Sequence, residues 1–228
     1  MPVAPAKPLT LVREARLPRT RSSALSASAK RAFDMALSGV GLIVSAPLWA
    51  LFALAIKLED GGPIFYVQAR SGLAAAHFKA LKFRSMIPQA EVGVGAIQAS
   101  EEDRRVTRVG RWLRATAMDE LPQLWNIFRG DMSFVGPRAL RPGEIESTGG
   151  GRIELLEDMP GFAERSHVRP GLTGIAQIYA SRDIPRRLKF RYDLLYVRRQ
   201  SFWLDMRLIL LSFWITLHGT WEVRGSKF

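Results

Sequence analysis

An uncharged run of 22 residues, Met35 to Ile56, constrains the fold of this chain more than any other feature of its sequence. It reads MALSGVGLIVSAPLWALFALAI and lies between Asp34 and Lys57. At about 1.5 Å per residue, a straight helix of this length would extend roughly 33 Å, enough to cross a hydrocarbon core of about 30 Å. The length therefore favours a membrane segment over a buried helix of a soluble core.

Pro47 lies near the middle of this run, where it removes one backbone hydrogen bond and clashes with the preceding turn. Basic residues precede and follow the run, among them Lys30, Arg31 and Lys57, and the positive-inside rule draws both flanks toward the cytoplasm. A helix bent at Ala46-Pro47 that enters and leaves the membrane by the same face satisfies both constraints. A straight spanning helix with a tolerated proline kink is the alternative.

The net charge of +12, from 33 basic and 21 acidic residues, predicts an anionic partner such as a nucleic acid, an acidic lipid surface or a phosphorylated substrate. The first 31 residues hold seven of these cations and are rich in Ala, Ser and Pro. Residues 1–29 are therefore predicted to form a disordered basic tail. With no cysteine and only three histidines, any metal is expected to be a hard cation on carboxylates.

The rest of the chain is predicted to be one catalytic unit with a small hairpin and short helices. The segments PIFYVQAR and HFKALKFRSM read as strands, and the residues between them, 71–76, predict the hairpin turn. A basic amphipathic helix is predicted over 106–117, and a second helix over 120–129 that ends at Gly130. Cations, tryptophans and leucines at helical spacing over 182–217 favour a helix at the membrane interface, with a core helix as the alternative.

Two adjacent carboxylates, Asp119 and Glu120, precede Leu121-Pro122. As local structure, Asp119 is predicted to be the N-cap of the helix over 120–129. A helix N-terminus beside guanidinium groups can also accept phosphate oxygens, and two carboxylates there suit a magnesium-assisted reaction at phosphorus. The flanking cations that favour this second interpretation are Arg104, Arg105, Arg108, Arg111, Arg114, Arg129 and Arg138.

Several motifs in unbroken order resemble the bacterial sugar transferase family, the monotopic polyprenyl-phosphate phosphoglycosyl transferases. The motifs are KRAFDMALSGVGLIVSAPLWALFALAIKLEDGGPIFYVQAR, FKALKFRSM, RVTRVGRWLRATAMDELPQLWNIFRGDMSFVGPR, RPGLTGIAQI and KFRYDLLYVRRQSFWLDMRLIL. They cover residues 30–217, and their linked order is far more specific than any single motif.

The resemblance implies a membrane enzyme that transfers a sugar 1-phosphate from a UDP-sugar to undecaprenyl phosphate and releases UMP. This would be the first step of polysaccharide or glycoconjugate assembly, at the inner leaflet of the bacterial inner membrane. The family's roles imply that Asp119 is the nucleophile of a covalent phosphosugar intermediate and that Asp119 and Glu120 hold Mg²⁺. The cations expected to bind substrate phosphates are Lys82, Arg84, Arg114, Arg138 and Arg169.

The implied fold is α+β and mainly helical. It has a re-entrant membrane helix over 30–57 kinked at Pro47, a small β-hairpin, and interfacial amphipathic helices around a cytoplasmic catalytic domain over 58–221. Residues 222–228 would be a C-terminal tail. The chain departs from the family's pattern at Ala46, Ala75 and Ala139, where serine, glycine and proline are common, and none of these positions lies in the acidic pair.

Two other classes of function are compatible with parts of the sequence. A membrane-anchored nucleic-acid-binding protein would use the positive charge, but no helix-turn-helix, zinc or RNA-binding signature is present, so nucleic acid is not expected as a partner. A membrane scaffold without activity is the other class, and the intact MDELPQ and VGPR motifs argue against it. The sequence leaves open which sugar is transferred and the oligomeric state, a homo-oligomer included.

Overall fold

The computed structural model describes residues 21–90, 103–148, 152–181 and 184–218. Within them the chain is mainly helical, with three two-stranded sheets, as the α+β prediction requires. The helices are α1 (Arg21–Asp60), α2 (Arg108–Ala115), α3 (Gln123–Arg129), α4 (Phe162–Arg165), α5 (Ile175–Tyr179), α6 (Arg186–Arg199) and α7 (Phe202–His218). The strands are β1 (Phe65–Ser71), β2 (His77–Phe83), β3 (Ser133–Val135), β4 (Ile145–Thr148), β5 (Arg152–Leu155) and β6 (Gly171–Thr173).

The first helix, α1, is 40 residues long and contains Pro47. It begins at Arg21, so its first nine residues lie within the stretch 1–29 that the sequence predicted as a basic tail. Residues 1–20 and 222–228, the remaining parts of the two predicted tails, lie outside the described residues. Residues 27–60 of α1 are long and apolar enough to cross a membrane, by length and composition.

One face of α1 packs on the rest of the protein along much of the helix. Gly39 and Gly41 lie against Phe128 and Leu124 of α3. Further along α1, two side chains enter a buried cluster with Phe83 and Leu113, namely Phe52 and Ile56. The other face of α1 is apolar and exposed at Val40, Ile43, Val44, Leu51 and Leu54. An exposed apolar row of this length marks a surface made for lipid or for another apolar partner.

Both ends of α1 are tied to short helices of the same domain. Near its beginning, Arg31 donates hydrogen bonds to the carbonyl oxygens of Ile127 and Phe128 at the end of α3, at 2.6 and 2.7 Å. At its end, Glu59 accepts hydrogen bonds from the first two backbone amides of α2, at 2.6 and 3.1 Å. Each contact satisfies backbone groups that a helix terminus leaves unpaired. The long apolar helix therefore fixes where α2 begins and where α3 ends.

The predicted hairpin is confirmed. β1 and β2 pair in antiparallel register from Phe65 opposite Phe83 to Ser71 opposite His77, and a tight 3₁₀ turn over Leu73–Ala75 joins them. The side chain of Asn126 in α3 bonds to β2, accepting from the amide of Leu81 at 3.0 Å and donating to the carbonyl of Lys79 at 2.8 Å. This contact holds α3 beside the strand.

The main core lies where α7 packs against β3, β6 and α6. Leu208, Ile209 and Ile215 of α7 are buried there with Val135 and Tyr196. The opposite face of α7 is apolar and exposed, at Trp203, Leu210, Phe213, Trp214 and Leu217. The helix thus has apolar residues on both faces, one against the core and one at the surface.

Candidate active site

The acidic pair lies in a short 3₁₀ turn over Met118–Glu120 that precedes α3. Ala117, just before the turn, has a left-handed backbone with φ of 55°. The prediction that Asp119 is the N-cap of the next helix is wrong, because α3 begins at Gln123 and Pro122 takes the preceding position. Proline suits a helix start because its fixed φ matches the helix and it has no amide hydrogen to leave unpaired. The predicted end at Gly130 is confirmed, with a left-handed φ of 102°.

Lys82 of β2 lies between the two carboxylates. Its ammonium group forms an ion pair with Oε1 of Glu120 and lies 3.9 Å from Oδ2 of Asp119. The three side chains are at most one-fifth exposed, so their charges interact in a less polar medium than water. The hairpin therefore brings to the acidic pair one of the cations predicted from the sequence.

The surroundings of the two carboxyl groups affect their pKa values in opposite directions. Burial raises the pKa of Asp119, and the negative charge of Glu120 adds to this effect, while Lys82 opposes it. Burial also acts to raise the pKa of Glu120, but Lys82 and Arg138 outweigh it and hold the pKa of Glu120 below its usual range. Glu120 is thus the ionised partner of Lys82, and Asp119 gains most from any further cation that reaches the site.

Lys82, Asp119 and Glu120 line a cavity with a volume of about 1220 Å³. Two more of the predicted cations line this cavity. Arg114 comes from the last turn of α2, and Arg138 follows the turn at Gly136-Pro137. Both act to lower the pKa of Asp119, as nearby positive charges do. The structure therefore brings together Lys82, Arg114 and Arg138 around the acidic pair, from three separate parts of the chain.

The backbone around Arg138 is fixed by a close chain crossing. A Cβ atom on Gly136 would lie 2.3 Å from the carbonyl oxygen of Arg169, so only glycine fits. The amide of Gly171 donates to the carbonyl of Pro137 at 2.9 Å. These contacts hold the start of the VGPR turn against the chain that crosses it.

The carbonyl oxygen of Arg138 also accepts a hydrogen bond from a buried guanidinium group. Arg165 donates to this oxygen at 2.6 Å and to Asp193 at 2.8 Å, and its side chain lies over the ring of Phe190. Sequence reasoning missed this contact, because Arg165 stands in no motif that marks it and its carboxylate partner is 28 positions away.

Arg84 and Arg169, the other predicted phosphate-binding cations, have protein partners. The guanidinium group of Arg84 forms an ion pair with Asp60, with one bond of 2.6 Å, and donates to the carbonyls of Pro63 and Met86 at 2.5 and 2.9 Å. Arg84 also lines the cavity, but every nitrogen of its guanidinium group has an acceptor in the protein. Arg169 donates to the carbonyl of Gly130 at 2.9 Å and is not among the described residues that line the cavity.

Sequence reasoning also missed three arginines that line the cavity, Arg70, Arg141 and Arg186. Arg70 donates to the carbonyl of Ala139 at 2.9 Å. Burial lowers the pKa of Arg70 to about 10, and the positive charges of Arg138 and Arg141, which line the same cavity, contribute. The convergence of many cations on one cavity suits a ligand with more than one phosphate group. Only the folded chain reveals it, since the three stand in separate segments.

The donor set for a metal at this site is small. Among the described residues, no group of three or more His, Asp or Glu side chains could hold a metal ion. A metal at the acidic pair would therefore have Asp119 and Glu120 as its protein ligands. Magnesium is commonly held by one or two carboxylates together with substrate phosphates and water. The pair therefore fits an ion that binds with the substrate, and does not form a complete protein cage.

Comparison with known proteins gives consistent results. The chain is 45% identical over 190 residues to the undecaprenyl-phosphate glucose phosphotransferase of Komagataeibacter xylinus, a match that covers 80% of this chain and 35% of that protein. It is 42% identical over 186 residues to the UDP-glucose:undecaprenyl-phosphate glucose-1-phosphate transferase of Caulobacter vibrioides, with 79% and 67% covered. The exopolysaccharide production protein PSS of Rhizobium leguminosarum bv. phaseoli is 42% identical over 185 residues, with 79% and 90% covered.

The chain thus spans about a third of the Komagataeibacter protein and nearly all of the Rhizobium protein. The model of the family described as bacterial sugar transferase matches residues 25–219. That range includes the membrane-length helix, the hairpin, the acidic pair and the core built on α7. On this match, the chain belongs to the bacterial sugar transferase family.

Proposed function

We propose that this protein transfers a sugar 1-phosphate from a UDP-sugar to undecaprenyl phosphate and releases UMP. The observation that carries the proposal is the pair Asp119–Glu120, held by Lys82 inside a cavity that Arg114 and Arg138 also line. Relatives named for transfer of glucose 1-phosphate from UDP-glucose to undecaprenyl phosphate support this substrate class. A relative named for exopolysaccharide production supports a role at the start of polysaccharide or glycoconjugate assembly.

The first step is attack by a carboxylate oxygen of Asp119 on the β-phosphorus of the UDP-sugar. A bond forms between that oxygen and phosphorus, the bond from phosphorus to the bridging oxygen breaks, and UMP leaves with the electron pair. Lys82, Arg114 and Arg138 offset the charge of the phosphates, without which a carboxylate could not approach them. The product on the enzyme is an aspartyl phosphosugar.

In the second step, a phosphate oxygen of undecaprenyl phosphate attacks the same phosphorus. The bond between Asp119 and phosphorus breaks, and the carboxylate is regenerated. A covalent intermediate lets a water-soluble donor and a membrane-bound acceptor use one site in turn.

Asp119 and Glu120 would hold Mg²⁺ together with the phosphates of the donor. When bound, the ion supplies positive charge that neutralises phosphate oxygens and favours the ionised form of a carboxyl group. Such a positive charge would favour the ionised form of Asp119, whose pKa is raised by burial. Lys82 keeps Glu120 ionised and oriented beside its neighbour.

The experiment is a measurement of UMP release from UDP-glucose by the detergent-solubilised protein, with and without magnesium. Asp119→Asn should abolish release, and removal of magnesium should lower it strongly. Asp158→Asn, an exposed acidic position that does not line the cavity, is the matched control and should behave as the unsubstituted protein. Undiminished release by Asp119→Asn would refute the nucleophile assignment.

We further propose that the protein is monotopic in the inner membrane, with α1 bent at Pro47 and the catalytic domain on the cytoplasmic side. Two observations support this topology. Arg31 and Glu59, near opposite ends of α1, both bond to helices of the same domain, and the exposed apolar faces of α1 and α7 offer surfaces that lipids of the inner leaflet would cover.

The topology can be tested by labelling, because the chain has no cysteine. Thr10→Cys and Ala90→Cys should both react with a membrane-impermeant maleimide only after the cells are permeabilised. Reaction of Thr10→Cys in intact cells would show a straight spanning helix.

A further inference from the structure

The segment that carries Arg138 is held through its backbone. Each of four successive carbonyl oxygens in it accepts a hydrogen bond from another part of the chain. The acceptors and their donors are Pro137 with the amide of Gly171 at 2.9 Å, Arg138 with the guanidinium group of Arg165 at 2.6 Å, Ala139 with the guanidinium group of Arg70 at 2.9 Å, and Leu140 with the amide of Ser71 at 2.8 Å. Two of the four donors are therefore cationic side chains, and one of these bonds to Arg138 itself.

Arg165, the last residue of α4, is itself held firmly. Its side chain and that of Asp193 are each only 4% exposed, and its Nε donates to Asp193 at 2.8 Å. Its guanidinium carbon lies 4.9 Å from the centre of the Phe190 ring. A buried cation with a bonded carboxylate and an aromatic face has few alternative positions. Because Asp193 and Phe190 both belong to α6, Arg165 couples the position of that helix to the backbone of Arg138.

The side chains of Arg165 and Arg138 both line the cavity, but they are placed for different tasks. The positive charge of Arg165 is balanced by Asp193 at 2.8 Å, so the two together offer little net charge to a phosphate. The bond between the two arginines uses the carbonyl oxygen of Arg138 and leaves its guanidinium group out of the contact. Arg165 is thus suited to hold Arg138, and Arg138 to meet the ligand.

We propose that Arg165 is a positioning residue that, through the carbonyl oxygen of Arg138, fixes where the guanidinium group of Arg138 lies in the cavity. The consequence for catalysis rests on the proposed function, in which Arg138 offsets phosphate charge beside Asp119. At a reacting centre, a displacement of about 1 Å can cost about 10²-fold in rate.

Arg165→Lys is the variant that tests this role. Lysine keeps a positive charge beside Asp193, but its single ammonium group replaces a planar fork and cannot keep both bonds in the same geometry. Arg165→Met would leave Asp193 buried without its cation and would endanger folding. The matched control is Arg198→Lys, because Arg198 of α6 pairs with Glu164 of α4 at 3.6 Å and so joins the same two helices. Arg198 is not among the described residues that line the cavity.

The kinetic experiment measures kcat/KM for UMP release from UDP-glucose, in the unsubstituted protein and in Arg138→Met. Arg165→Lys should lower kcat/KM about tenfold when Arg138 is present. When Arg138 is replaced by methionine, the further loss should be less than about twofold, because no guanidinium group remains to be displaced. Arg198→Lys should change kcat/KM in neither case.

A general loss of structure, or direct contact of Arg165 with the substrate, would lower kcat/KM by the same factor in both backgrounds. Equal losses would therefore overturn the proposal. An undiminished kcat/KM in Arg165→Lys would overturn it as well.

Hydrogen–deuterium exchange separates this proposal from the proposed function, since it needs no activity. In the peptide covering residues 136–141, backbone amides should exchange faster in Arg165→Lys and at the normal rate in Arg198→Lys, as mass spectrometry would measure. Unchanged exchange in Arg165→Lys would show that this arginine does not hold the segment. If the unsubstituted protein releases no UMP, the proposed function fails, and the exchange rates still decide whether Arg165 fixes Arg138.

Discussion

Lys82 and Arg84 are two positions apart at the end of the hairpin, both line the cavity and both have an acidic partner, yet those partners come from different parts of the protein. Lys82 pairs with Glu120 and approaches Asp119 at the wall of the cavity. Arg84 pairs with Asp60 at the end of α1 and donates two further hydrogen bonds, to the carbonyls of Pro63 and Met86. The difference shows that the role of a cation depends on its partner. Lys82 pairs with the acidic pair, where a ligand can bind, whereas Arg84 joins the end of α1 to the hairpin.

The largest effect should follow from Lys82→Met. We expect kcat for UMP release to fall about 10²- to 10³-fold, the cost of losing one preorganised charge at a reacting centre. Lys82→Arg keeps the positive charge and should recover part of the activity. A kcat within about threefold of normal for Lys82→Met would show that the lysine has no role in the reaction.

Arg138→Met and Arg169→Met extend the comparison to the other predicted cations. Arg138 lines the cavity and should be required, with a loss of about 10²-fold in kcat/KM. Arg169 bonds to the carbonyl of Gly130 outside the cavity, so its loss should lower the free energy of unfolding by about 1 kcal/mol and change kcat/KM little. Steady-state kinetics and denaturant unfolding of both variants test this. Equal kinetic losses would show that Arg169 also acts on substrate.

Arg84→Met should act on stability. Its guanidinium group is buried and Asp60 is only partly exposed, so breaking the pair should lower the free energy of unfolding by about 2 kcal/mol, below the 3–5 kcal/mol of a fully buried pair. The kcat of the folded protein should stay within about twofold of normal. Denaturant unfolding followed by tryptophan fluorescence measures the first quantity.

A double-mutant cycle is the control for Arg84. The double variant Asp60→Asn/Arg84→Met should lose less free energy of unfolding than the sum of the two single variants, because both changes remove the same contact. Additive costs would show that the pair does not hold α1 to the hairpin. A large fall in kcat for Arg84→Met would show that Arg84 binds substrate phosphates, as predicted from the sequence.

The smallest effect concerns the hairpin turn that carries Lys82 to its position. Ala75 has a left-handed backbone with φ of 58°, a conformation that costs a residue with Cβ about 1 kcal/mol. Ala75→Gly should therefore raise the Tm by about 2–4 °C. The neighbouring Ala76, with φ of −62°, is the control, and Ala76→Gly should lower the Tm. A rise in both variants would rule out backbone strain as the cause.

The comparison also shows which features could be predicted from the sequence. Alternating aromatic and β-branched residues predicted the hairpin, and a glycine predicted the end of α3 at Gly130, because both are local rules of backbone geometry. The prediction of Asp119 as a cap was wrong since another local rule, proline at the helix start, took precedence.

Long-range partners could not be predicted, because a sequence gives a side chain's type and not what it contacts. The pair Arg84–Asp60 joins residues 24 positions apart, and Arg165 acts on Arg138 from 27 positions away. The cations at the acidic pair were assigned through the family's motifs, whereas Arg70 and Arg186 were found only from the fold.

The bond from Glu59 to the start of α2 limits how this protein can be recombined. Arg114 lies at the other end of that short helix, so a glutamate in the last turn of the apolar helix helps to set where a cation of the candidate site lies. Exchanging α1 for an unrelated membrane helix would keep the protein at the bilayer and remove this brace. The apolar helix is therefore part of the framework of the candidate site and should evolve together with the residues that follow it, and chimaeras should be joined upstream of Arg31.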